Sequence, residues 1–189
     1  MKKFLFIILL VFTFGGYSQA QDAYEKGVNY FSAGVGFGNA YNNGYGLGTG
    51  LGNSLPLNAS FELGIHDYFS VGPYISYATY RPNTVFGTFS DYRANFFSVG
   101  GKLSFHYVNL ANDALDLGID PEKLDLYIAA YAGAEFFTDN TEINYANTAQ
   151  ADFGVVIGGR YMFSESFGAY SELGYAALSV FSLGITLNL

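Results

Sequence analysis

Five charged residues stand among the Gly, Ser and Ala of alternating segments: Glu62, Lys102, Glu135, Arg160 and Glu172. Each falls on the polar parity of its segment, so in extended chain all five project from the same face of their strands. If that face is enclosed, three carboxylates and two cations must pair as buried ions, because a charge left alone in a low-dielectric space is costly. Acid–base chemistry would look instead to the two imidazoles, His66 and His106. His66 falls in a tight turn and His106 at the end of a strand, and no Ser and carboxylate can be placed with either to make a nucleophilic triad. Glycines at 44, 46, 48, 50 and 52 invite comparison with a phosphate-cradling loop, yet they recur every second residue and form neither G-x-G-x-x-G nor a Walker A with Lys. Cysteine is absent, which removes disulfides and thiolate metal sites together. The expectation is a structural network of charges, with no catalytic, cofactor-binding or metal-ligating set and no cofactor.

The segments that must position those charges are short and alternate with period two. The clearest is 179–189, where Phe181, Leu183, Ile185, Leu187 and Leu189 share one face and Ser182, Gly184, Thr186 and Asn188 the other. Seven more precede it, at 29–38, 57–65, 69–77, 94–106, 125–137, 151–163 and 167–175. Tight turns at 66–68 and 163–166 lie on one side of the alternation; the longer connections 39–53, 81–93 and 138–150 lie on the other, and 176–178 leaves almost no loop. Pro73 cannot donate to a ladder, so a bulge or a local break is expected there. The stretch 108–124 interrupts the rhythm. Asn112 or Asp113 could cap a turn through Leu117, and Asp120 followed by Pro121 has the pattern of an N-cap with Pro at the first helical position.

Alternation alone does not say which face is inside, since a soluble lipocalin-like barrel turns its apolar face inward. Composition decides. The polar parity carries mainly Gly, Ser, Ala and Tyr with few charges, too sparse a set to solvate a water-facing surface, whereas it suits a crowded lumen with apolar residues turned to lipid. The predicted fold is therefore all-β: an eight-stranded antiparallel transmembrane β-barrel over 29–189, an up-and-down meander. Ahead of it, Lys2 and Lys3, the apolar run from Phe4 to Phe14 and Ser18-Gln19-Ala20 read as a cleaved signal peptide over 1–20, followed by a short polar periplasmic leader at 21–28. Removing the signal leaves 6 Lys+Arg against 16 Asp+Glu, a net of −10, which argues against nucleic acid as a partner.

With the signal peptide, S-A-G-V-G-F-G at 32–38, F-E-L-G-I-H-D-Y-F-S-V-G at 61–72 and the terminal strand, residues 29–189 resemble the OmpA/OmpX-like family of small outer-membrane β-barrels. The resemblance implies a monomer in the outer membrane, in contact with lipid and lipopolysaccharide and inserted by the barrel-insertion machinery through its C-terminal strand. That strand usually ends in an aromatic residue; here it ends in Leu189, and the nearest aromatic is Phe181. Without Trp, the interfacial girdles must be built from Tyr and Phe. The implied role is non-enzymatic and structural or adhesive, with no peptidoglycan-binding domain following the barrel. A lipid A-modifying enzyme and a narrow porin-like channel are the alternatives. For the enzyme, His66 and His106 both fall at the periplasmic end, away from the outer leaflet.

Overall fold

The computed structural model describes residues 22–39, 55–80, 94–115, 118–139 and 148–189. The signal segment, the 81–93 connection, most of the glycine-rich connection, 140–147 and Leu117 lie outside the described residues. In chain order the elements are β1 (Asn29–Asn39), β2 (Leu57–His66), β3 (Phe69–Tyr80), β4 (Ala94–His106), α1 (Val108–Leu115), β5 (Leu124–Asp139), β6 (Thr148–Ser164), β7 (Phe167–Ala176) and β8 (Ser179–Asn188). Every neighbour pair is antiparallel, and the strands close in sequence order as a barrel. Closure is made by β1 against β8, from Tyr30 opposite Asn188 to Asn39 opposite Ser179, so the last strand has no free edge.

Two local expectations need correction. Helix α1 begins at Val108, with Ala111 N–H donating to Tyr107 O, so Asn112 lies inside the helix and does not cap it. Its side-chain amide instead grips the backbone of Ile119, donating through Nδ2 at 2.7 Å and accepting through Oδ1 at 3.0 Å, which folds the excursion back on itself. Asp120 does cap, accepting from Glu122 N–H at 3.1 Å, but it caps a turn and no second helix follows. Strand β6 also starts earlier than its expected bound of 151, at Thr148 opposite Phe137. Backbone pairing does not require apolar side chains, so a hairpin continues past the band that alternation marks. Opposite Pro73, β2–β3 pairing lapses between Ser60–Tyr74 and Leu63–Val71 and resumes in the same register, a local break that follows from the missing N–H. The register shift in that hairpin lies at its turn, between Gly64 and His66.

The two parities separate as the polar-lumen reading requires. Tyr, Ser, small and charged side chains fill the inside, while the apolar parity faces out: Ile157 is 60% exposed and Leu173 62%. The outward face is banded. Near the short-turn end the rings of Phe69, Phe105 and Tyr107 touch in one group and those of Tyr161, Phe163 and Phe167 in another. Near the other end Phe37 packs on Phe181 and Phe97 on Phe136, with Tyr77 paired to Phe97 in the ladder. Between the two belts lie aliphatic residues such as Val71, Val99, Leu103, Ile128, Ile157 and Ile185.

Both ends of the lumen are obstructed. At the loop end Ala177 and Leu178 make a two-residue turn with φ of 51° and 67°, the hairpin geometry usually given to Asn-Gly. Left-handed backbone costs a side-chain-bearing residue roughly 1–2 kcal/mol, and burial of Leu178 against Ala78, Ala94 and Phe96 offsets it. At the opposite end the leader does not trail into solvent. Ala23 N–H donates to Pro121 O, Gly27 and Val28 pair with Gly64, and the Tyr24 ring is buried under the barrel.

Candidate functional site

Four of the five charges picked from the sequence meet in one enclosed group. Glu62 of β2 is its centre: Lys102 of β4 donates to Oε1 at 2.9 Å and Arg160 of β6 donates to the same oxygen at 3.2 Å. Ser70 and Ser104 both donate to Oε2, at 2.9 and 2.6 Å. Lys102 also donates to Glu172 of β7 at 2.8 Å. Glu172 further accepts from the hydroxyls of Tyr127 and Tyr131, each at 2.9 Å. The cations are lined by aromatic faces, Arg160 over Tyr30 at 4.5 Å and Lys102 over Tyr127 at 4.9 Å, so the rings exclude water and supply π-density together. Gly158 makes that possible, since a Cβ there would enter the Tyr127 ring. Arg160 Nε is left without a partner among the described residues.

Glu135 does not join this group. It lies ten positions along β5 from Asp125, accepting from Gln150 at 3.2 Å. Near it, opposite Gly133 and so further from the loop end, Asp152 takes hydrogen bonds from Tyr74 at 3.2 Å and Ser98 at 2.5 Å. Parity puts Glu135 on the correct face; height along the strand separates it from the cations.

Three residues complete the main group without having been singled out for it. Asp125, the second residue of β5, accepts from Arg160 at 3.2 Å and from His106 Nδ1 at 2.9 Å. His106 Nε2 lies 2.9 Å from Ser70 Oγ. Ser70, His106 and Asp125 therefore line up in the order of a nucleophilic triad, contrary to the expectation that no Ser and carboxylate could be placed with either imidazole. The hydrogen-bond direction does not serve attack, however. Glu62, held between two cations, accepts the one hydrogen bond that the Ser70 hydroxyl can donate, which leaves none directed at His106. All three are buried, and Tyr24 covers His106 from below. His66 takes no part in the group; it sits exposed at the β2–β3 turn. Among the described residues no group of His, Asp and Glu has the arrangement of a metal site.

No described protein family matches the sequence, and no curated protein does. Solved structures do match in shape. The outer membrane protein Ail of Yersinia pestis in a phospholipid bilayer nanodisc is similar over 87% of this chain and 100% of its own, at 15% identity and a TM-score of 0.52. The N-terminal β-barrel domain of Pseudomonas aeruginosa OprF matches over 86% and 96%, at 14% identity and a TM-score of 0.49. Neisserial surface protein A matches over 86% and 96%, at 12% identity and a TM-score of 0.43. With its closed meander of eight strands and its outward apolar face, the chain has the fold of the small outer-membrane β-barrels.

Proposed function

We propose that this protein is an integral outer-membrane barrel without catalytic activity, exported by a signal peptide cleaved after Ala20, whose filled lumen holds the wall rigid while its longer connections are presented outside in a structural or adhesive role. The observation that carries the reading is the banded exterior. Two aromatic belts flank an aliphatic zone, the arrangement that suits headgroups at either side and acyl chains between. Strands of 10 residues, as in β2, β7 and β8, are long enough to cross when tilted. The partners that follow are outer-membrane lipid and lipopolysaccharide at the belts, and the insertion machinery at β8. The β2–β3 and β6–β7 turns, the leader and Leu189 gather at one end, which is the periplasmic one in a monomeric barrel with both termini inside.

Fractionation and topology test this together. The protein is expected in the sarkosyl-insoluble outer-membrane fraction, running faster unboiled than boiled on a detergent gel. A protease site placed within 81–93 or 140–147 should be cut on intact cells, and one within 108–124 only after the outer membrane is opened. A soluble periplasmic protein would overturn the membrane reading, and cleavage within 108–124 on intact cells would reverse the orientation.

A further inference from the structure

We infer that His106 carries hydrogens on both ring nitrogens, that as an imidazolium it is the third cation of a charge-balanced group in the lumen, and that the Tyr24 ring stacked on it latches the leader across the short-turn end. Counting hydrogens forces the first step. Ser70 has one, and it goes to Glu62 Oε2. Facing Ser70 Oγ at 2.9 Å, His106 Nε2 must then donate. On the other side Nδ1 lies 2.9 Å from both oxygens of Asp125, one of which also accepts from Arg160. A carboxylate held by a guanidinium only accepts, so Nδ1 donates as well.

The charge tally agrees. Glu62, Asp125 and Glu172 bring three negative charges into the enclosed group, and Lys102 and Arg160 bring two positive ones. A neutral His106 would leave one buried carboxylate uncompensated, whereas an imidazolium makes the sum zero. The groups facing the ring from every side are Asp125 and Tyr127 from β5, Ser70 and behind it Glu62, Tyr24 from the leader, and Arg160 beyond Asp125. Asp22 and Asp67 line the shallow recess beside it. Anions predominate in that shell.

Tyr24 supplies an independent observation. Its ring lies 3.5 Å from the His106 ring, centroid to centroid, at an interplanar angle of 4°. Two neutral aromatic rings avoid such a flush sandwich because their quadrupoles repel; a cationic ring on the face of Tyr is attracted. The Tyr24 hydroxyl is anchored to the carbonyls of His66 and Phe69, at 2.7 and 2.6 Å. Burial, and after it the charge of Asp125, pushes that hydroxyl well above the ordinary phenol range, so the ring stays neutral. The Tyr24 ring is thereby seated on His106, beside the backbone hydrogen bonds that Ala23, Gly27 and Val28 make.

Imidazole 15N–1H correlation spectra of the labelled protein in phosphatidylcholine nanodiscs at pH 7.5 test the proton count, with His66→Gln assigning the two rings. Both His106 nitrogens are expected to appear protonated; a bare nitrogen would overturn the proposal. A charge cycle tests the tally. His106→Gln and Asp125→Asn should each lower the urea midpoint, and the double variant should recover part of the loss because its charges balance again. If Asp125→Asn alone leaves the midpoint unchanged or raises it, His106 is not the balancing cation. Tyr24→Leu, which keeps an apolar plug, tests the latch: exchange of the His106 ring hydrogens with water should accelerate at least tenfold. Unchanged exchange would remove Tyr24 from the account.

Discussion

Arg160→Ala is expected to lower the unfolding free energy of the barrel in detergent micelles by about 3–5 kcal/mol, seen as a clear drop in the urea midpoint. Arg160 is fully buried and donates to Glu62 and Asp125 from opposite arms of its guanidinium. Alanine would take the guanidinium away from both carboxylates in a buried space walled by Tyr30 and Tyr127. Folding would then have to carry an excess of negative charge or protonate a carboxyl. Glu135→Gln is the matching control. Glu135 shares the inward face but has Gln150 as its hydrogen-bond partner and no cation among the described residues, so the change should stay within about 0.5–1.5 kcal/mol, the worth of one hydrogen bond. Equal losses from the two substitutions would mean that inward charge as such matters and the pairing does not.

Ile157→Arg is expected to destabilise by about 2–4 kcal/mol in a lipid bilayer. Ile157 is 60% exposed, lies between Ile128 and Leu173 in the ladder, and faces away from the lumen at the middle of the aliphatic zone. On a barrel in water an Arg at so exposed a position would cost almost nothing. The substitution therefore reports the solvent of the outer wall, whereas Arg160→Ala reports the inside. A silent Ile157→Arg in bilayers would place that face in water.

Much of this was legible from period two. The inward parity of Glu62, Lys102, Arg160 and Glu172 follows from the alternation of their segments, and each is enclosed in the barrel. Height was not legible. Parity gives the face of a strand but not its register with the neighbour, and only tight turns fix register from sequence. The β4–β5 connection runs through α1, so nothing in the sequence shows that His106 comes opposite Tyr127, with Asp125 within reach. Asp125 and Glu135 share a face, but at about 3.4 Å per residue they stand roughly 34 Å apart along β5. The one reaches Arg160 and the other does not. Ser70 gave no signal, being one of several Ser on the polar parity. The docking of the leader was not legible for another reason: its placement depends on two residues, Ala23 and Tyr24, that find a buried site only once the barrel exists.

Whether the lumen of this barrel is filled is read by single-channel recording in planar bilayers. The wild-type protein, folded and inserted, should give at most small and infrequent openings, because buried ion pairs and rings occupy the lumen while Leu178 and Tyr24 obstruct its ends. Large, steady, porin-like currents from the wild type would contradict a filled lumen.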